Sequence, residues 1–360
     1  MSPRSPKPVL LALAVAAGAL LLFDWAVRQD WPERAGWRTK PMAPAKPAAA
    51  RPARKLDAKA PLPNGKTLAE AWGDFMQGGA PKLTLAQLND YADSCGRDAQ
   101  SLIVAARLSF DIDFLKEAAL LYPENPLVQL EVALSPSASP EDRRAALEAF
   151  KVVSPDNALG DYLSAHLSFS EGKYAEAANG LLASLDHGTL ADFSEQIMAG
   201  TEQAYLSAGQ DPQTAQLAAM TGLTRPTLVP LREVSRHIDG LKDEFIKAED
   251  FDAAHPTVLV GIDLGQKIQS QAPYLVDQLV GMSIERSFLV QLDPLTTTGA
   301  NGQTAADRLA ELDAKRSDIR DTTAAFAEVS IKMDSATSKE YFLRMRRDGE
   351  LSAMKWALGK

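Results

Sequence analysis

Four histidines, one cysteine and a Gly-Lys-Thr triplet are the residues whose chemistry could carry a reaction in this chain of 360 residues. His166, His187, His237 and His255 belong to no metal-binding motif. His255 stands close to Glu249, Asp250 and Asp252, a set that could hold a cation, but those acids suit a polar turn between helices equally well. The turn is the preferred reading. Cys95 is the single cysteine, which excludes an intrachain disulfide and any cysteine-based metal cluster. It continues a stripe formed by Leu88, Tyr91 and Ala92, so it reads as a core residue rather than a reactive thiol. Gly65-Lys66-Thr67 has the ending of a phosphate-binding loop. Ala60 replaces the earlier glycine, however, and a proline-rich spacer stands where a strand is needed. Thr67 with Glu70 reads better as a capping box opening a helix with Leu68, Ala71, Trp72 and Phe75 inward. Neither a G-x-S-x-G elbow nor a G-x-G-x-x-G fingerprint occurs. The sequence therefore nominates no catalytic, cofactor-binding or metal residue, and the chain does not read as an enzyme.

The elements that would have to position any site are helical. Hydrophobic residues make up 46% of the chain, enough for a buried core, while aromatics are sparse at 7%. The net charge of −9 is uneven. Residues 1–66 hold twelve Lys/Arg against four Asp/Glu, and the remainder hold 26 against 43. An acidic body repels phosphate backbones, which makes nucleic acid a poor partner.

Residues 1–8 form a short basic tail, and Val9 to Phe23 is uninterrupted apolar sequence, extended to residue 27. This length lies between a signal-peptide core and a membrane span. Asp24 would sit at −3 of a cleavage after Ala26, and Trp25, Trp31 and Trp37 suit an interfacial belt. An uncleaved transmembrane anchor over 9–27 is the expectation, ahead of a cleaved signal. Basic residues flank the segment on both sides; the signal-like layout favours an inner-membrane, single-pass protein with its body outside the cytoplasm. Residues 28–66 form a basic Pro/Ala-rich linker, semi-stiff and solvated.

From residue 67 to 292 short helices follow one another. Thr84 and Gln87 form a capping box, Ser139-Pro140 and Asp211-Pro212 start helices, and Pro123-Glu124-Asn125 recurs thirty-two residues later as Pro155-Asp156-Asn157. Residues 154–187 read as a helical hairpin. Ser154 would be its N-cap and Pro155 its first helical residue, with Leu159, Leu163 and Leu167 on the first face. Glu171-Gly172-Lys173 makes the turn, and Tyr174, Ala177, Ala178, Leu181, Leu182 and Leu185 supply the second apolar face. Leu190 to Ser207 reads as another helix pair, with Thr189 and Asp192 as its capping pair. Leu231 to Ile246 reads as a long amphipathic helix.

The fragments AALLYPENPLVQLEVAL, AALEAFKVVSPDN and GKYAEAANGLLASL resemble tetratricopeptide repeats, with Gly172, Tyr174 and Ala177 at the glycine-x-aromatic-x-x-alanine positions of the hairpin turn. The period drifts, so the array is degenerate. With its N-terminal segment, the layout resembles membrane-anchored, tetratricopeptide-like bacterial proteins. That resemblance implies an all-α array of helical hairpins and supplies no catalytic residues. Val258 to Gly265, VLVGIDLG, resembles the first phosphate loop of actin-like ATPases, but Gln266-Lys267-Ile268 follows where small hydroxyl residues are needed. A helix with Val258, Ile262, Leu264 and Ile268 near one face is the better reading. After a loop at 293–303, residues 304–360 read as a helical pair: one long helix from Thr304 to Met333, then a last helix from Ser338 whose apolar side caps the array. The function expected from this layout is a membrane-anchored scaffold that binds a protein or peptide partner. A structural spacer or self-assembling subunit is the alternative, and an unrecognised enzyme the weakest reading.

Overall fold

The computed structural model describes residues 80–222, 224–271, 274–298, 302–330 and 332–359. The expected tail, anchor, linker and Thr67–Glu70 capping box lie outside them. Among the described residues the regular structure is helical, with two isolated β-bridges and no named strand. No described helix is long and apolar enough to cross a membrane.

In chain order the helices are α1 (Leu85–Ser94), α2 (Ala99–Ser109), α3 (Ile112–Leu121), α4 (Pro126–Leu134), α5 (Pro140–Val153), α6 (Leu159–Ser170) and α7 (Tyr174–Ala183). After a 3-10 turn at Ser184–Asp186 come α8 (Ser194–Ser207), α9 (Pro212–Thr221), α10 (Leu228–Lys247), α11 (Phe251–Gln271), α12 (Leu275–Leu289), α13 (Ala305–Ser330), α14 (Ser335–Asp348) and α15 (Glu350–Leu358). They form two compact units interleaved along the chain. The first holds α1–α5, α8 and α9; the second holds α6, α7 and α10–α15. The stretch 67–292, expected as one repeat domain, thus contributes helices to both.

In the first unit α4 packs against α5, α8 against α9 and α2, and α2 against α3. Local chemistry sets where these helices begin. Thr84 and Gln87 form the expected capping box, with Gln87 N donating to Thr84 Oγ1 at 3.2 Å and Thr84 N to Gln87 Oε1 at 2.9 Å. Ser139 and Asp211 cap α5 and α9 ahead of prolines that need no donor. Asn125 accepts from Leu127 N and Val128 N at the start of α4. The core gathers Tyr91, Leu102, Ile103, Phe150 and Met198, all sealed from solvent. Phe150 meets Phe193 edge-on, their centroids 6.3 Å apart. Arg97 and Arg107 each grip a carboxylate on a neighbouring helix, Glu117 on α3 and Glu131 on α4.

The second unit is built on α10, α11 and α12, with α6 packed on α10 and α7 on α6. The hairpin does not begin as the sequence suggests. Ser154 N donates to Phe150 O at 2.9 Å, so Ser154 closes α5, and α6 starts only at Leu159. Residues 155–158 bond instead to the far end of the hairpin. Thr189 N and Oγ1 both donate to Asp156 O, at 3.2 and 2.7 Å, and Ala158 N donates to Thr189 O at 2.9 Å. Thr189 therefore caps no helix. Asp192 accepts from Ser194 N, where α8 begins, and α8 is a single helix to Ser207. Asn157 completes the closure: its Oδ1 accepts from Leu159 N and Ala191 N, and its Nδ2 donates to Ala191 O at 2.9 Å. The recurring Pro-x-Asn is thus a helix-start device in both places, with Asn157 adding a tie across the hairpin.

At the C-terminus α13 fills the expected long helix. The last segment begins at Ser335 rather than Ser338, because Asp334 caps it through Thr337 N at 2.7 Å. Gly349, at φ +85°, then breaks it into α14 and α15. Tyr341, Phe342, Met345, Met354 and Ala357 are buried, and Phe326 of α13 stacks on Tyr341 at 4.9 Å. This apolar ending packs on α13.

Candidate functional site

The residues singled out for their chemistry are dispersed. His166 is half-buried within α6. His187 Nε2 lies 3.2 Å from Asp161 Oδ2, His237 stacks on Phe169 with centroids 4.4 Å apart, and His255 is exposed. Among the described residues no group of three His, Cys, Asp or Glu could hold a metal ion. Cys95 is half-buried at the end of α1, and its thiol accepts from Gln203 Nε2 at 3.8 Å. Burial pushes the thiol up from its ordinary range, which disfavours the nucleophilic thiolate.

Val258–Gly265 is helix, inside α11. Its glycines serve packing. A Cβ at Gly261 would fall 2.4 Å from the Phe288 ring, one at Gly265 2.5 Å from Glu285 N, and one at Gly281 2.6 Å from Gly265 O. The spacing Gly261-x-x-x-Gly265 is therefore the seam along which α11 and α12 cross closely. Glu285, fully buried beside that seam, accepts from Gln266 Nε2, Gln269 Nε2 and the Arg308 guanidinium at 2.6–3.0 Å. So many charge-assisted bonds make a buried carboxylate tolerable without giving it a reaction to perform.

A polar cluster that sequence reading missed joins the hairpin to α11. The Tyr162 hydroxyl donates to Asp263 Oδ2 at 3.0 Å. The Lys267 ammonium donates to the same oxygen and to the Ser184 carbonyl, both at 2.6 Å. Burial, reinforced by the Asp263 charge, pushes the Tyr162 phenol well above its usual range, so it stays a donor rather than a base. Lys267 caps the C-terminal end of α7 through Ser184, where a cation is favoured. The cluster is a lock on α7. Asp263 and Lys267 are four residues apart on one helix, but their partners Tyr162 and Ser184 lie 80 or more positions away, so no local motif announces the set.

What that lock holds is a half-covered helix. At 100° per residue, Ala177, Leu181 and Ser184 share one side of α7 and are buried. Tyr174, Ala178, Leu182 and Leu185 form the adjacent row, and there the expected apolar face fails to close. Tyr174 is 60% exposed, Leu182 54% and Leu185 41%. The physical reason is that α7 packs chiefly against α6, which covers only the first row. A line of rings runs toward the open row: His237 on Phe169, and Phe169 edge-on to Tyr174 with centroids 6.1 Å apart. Tyr174 and Leu182 on the braced helix, with Leu185 in the turn that follows it, thus form an exposed apolar row and the candidate surface of the second unit. Comparison of the chain with protein-family models, curated proteins and solved structures returns no match.

Proposed function

We propose that the chain is a membrane-anchored interaction scaffold of degenerate, tetratricopeptide-like helical hairpins, and that the open row of α7 seats a protein or peptide partner. The observation that carries this reading is the row in which Tyr174, Leu182 and Leu185 are exposed and Ala178 is half-buried, beside a buried row on α7 and the 3-10 turn that follows it. An amphipathic partner would complete the apolar face by the helix-in-groove mode. Sequential helices packed as pairs (α2 with α3, α4 with α5, α6 with α7, α8 with α9, α10 with α11) lend support to the hairpin reading. The apolar run Val9–Phe23 and its flanking tryptophans support the anchor, with the body outside the cytoplasm. The role is binding rather than catalysis. The alternative is a spacer that assembles with copies of itself, and it predicts a crosslink between two copies of this chain in place of one to a second protein.

The test is crosslinking in membranes followed by co-purification, comparing the unaltered chain with Tyr174→Ser/Leu182→Ser. The scaffold reading expects a specific crosslinked partner that the double substitution removes. A chain that yields only itself, or a partner indifferent to the substitution, contradicts it. A compartment-sensitive reporter fused to the C-terminus tests orientation; activity confined to the cytoplasm overturns the extracytoplasmic placement.

A further inference from the structure

One end of the second unit carries apolar side chains that its own helices leave in water. Gln291, just past α12, accepts from Lys242 Nζ at 2.6 Å and donates to Asp239 Oδ1 at 3.0 Å, which sets the end of α12 against the C-terminal half of α10. Ile246 stands one turn beyond Lys242 on the same face of α10. Phe251 opens α11 directly after the turn Ala248-Glu249-Asp250. Val290 is the C-cap of α12, and Leu295 lies in the loop after it. Phe251 is 65% exposed, Val290 56%, Leu295 80% and Ile246 45%. Large apolar side chains gathered at one exposed end mark a contact surface rather than a core.

The charge beside them is one-sided. Residues 239–252 hold six carboxylates and two lysines. Both lysines are already engaged: Lys242 lies 2.9 Å from Asp239 and 2.8 Å from Asp243, and Lys247 pairs with Glu244 at 2.7 Å. Glu249, Asp250 and Asp252 are exposed, and among the described residues none of the three meets a cation. Glu249 occupies the left-handed position that closes α10, at φ +58°, with Asp250 N donating to Phe245 O at 2.9 Å. Glycine would sit there without strain, so a carboxylate is kept beside Phe251 at a backbone cost.

We propose that this end is a second docking surface and that its occupant is a cationic amphipathic segment of a partner protein. Apolar side chains of the segment cover Ile246, Phe251, Val290 and Leu295, and its lysines or arginines meet Glu249, Asp250 and Asp252. The sign of the charge decides among occupants. An anionic membrane surface or a nucleic acid would bring phosphates against three carboxylates that have no cation. A second copy docked through the same end would set those carboxylates against their own kind.

Fluorescence anisotropy tests this: a labelled Leu/Lys peptide with its leucines on one helical face is titrated with the full chain, beside a Leu/Glu peptide of the same spacing. The Leu/Lys peptide binds and the Leu/Glu peptide does not. Phe251→Ser and Glu249→Gly each weaken binding by about threefold, the scale of one exposed ring or charge pair. Glu249→Gly relieves the left-handed strain, so its melting temperature holds or rises, and its loss of binding is not loss of fold. Equal binding of the two peptides, no binding of either, or an affinity that survives both substitutions overturns the proposal. So does binding lost only in Tyr174→Ser/Leu182→Ser, which assigns the peptide to α7. A dimer of the unaltered chain that Phe251→Ser dissociates assigns the surface to a second copy and overturns it too.

Discussion

Substituting alanine for glycine should have opposite signs at two helical positions of the second unit. Gly240 lies in α10 with nothing within 4 Å of an added Cβ. There Gly240→Ala gains helix propensity alone, about 1 kcal/mol. Gly265 has the same propensity to gain, but its added carbon would stand 2.5 Å from Glu285 N and 2.8 Å from Glu285 Cα. Those are backbone atoms, so no rotamer change relieves the overlap, and ordinary contact requires α11 and α12 to part by about 1 Å. Parting them also loosens the Gly261–Phe288 and Gly281–Gly265 contacts along the same seam. Overpacking of this kind costs about 3 kcal/mol or more, leaving Gly265→Ala about 2 kcal/mol less stable after the propensity gain. Thermal unfolding followed by circular dichroism reads both: a rise of about 2–4 °C for Gly240→Ala and a fall of about 4–8 °C for Gly265→Ala. A neutral or stabilising Gly265→Ala would refute the close crossing, and with it the packing role given to the glycines of VLVGIDLG.

Asn157→Ala removes the acceptor for Leu159 N and both bonds to Ala191. It should cost about 2–3 kcal/mol in urea titration, against about 1 for an ordinary cap. Lys267→Met leaves Asp263 without its cation and the Ser184 carbonyl without its donor, and should cost about 2–4 kcal/mol. Adding Asp263→Leu to Lys267→Met should return part of that loss, measured as a double-mutant cycle. Cys95 should react with iodoacetamide more slowly than a free thiol at about pH 8, and its rate should still be climbing at higher pH where the free thiol has levelled, because burial raises its pKa.

Much of the helical order was legible from local signals. Thr84-Gln87, Ser139-Pro140 and Asp211-Pro212 each bond backbone donors within three residues, so their meaning does not depend on the rest of the fold. Ser154-Pro155 carries the same local signature, yet there a long-range contact wins: Asp156 and Asn157 bond Thr189 and Ala191 across the hairpin. The break at Gly349 was legible in principle, since glycine flanked by Asp348 and Glu350 ends one helix and starts another. The candidate surface was half legible. Periodicity places Tyr174, Leu182 and Leu185 on an apolar face, but whether a neighbour covers that face depends on tertiary packing, which α6 supplies for one row only. The Tyr162–Asp263–Lys267 lock was invisible, because its members become neighbours only after the hairpin has docked.

The most direct test of the interaction role is site-specific photocrosslinking from α7 in the full chain. A crosslinking residue replaces Ala178, within the open row, or Glu176, which points about 160° away from it. The account predicts a discrete adduct with a second protein from position 178, none from position 176, and loss of the adduct in Leu182→Asp without a change in melting temperature. Equal adducts from both positions, no adduct from 178, or an adduct that survives Leu182→Asp would contradict it.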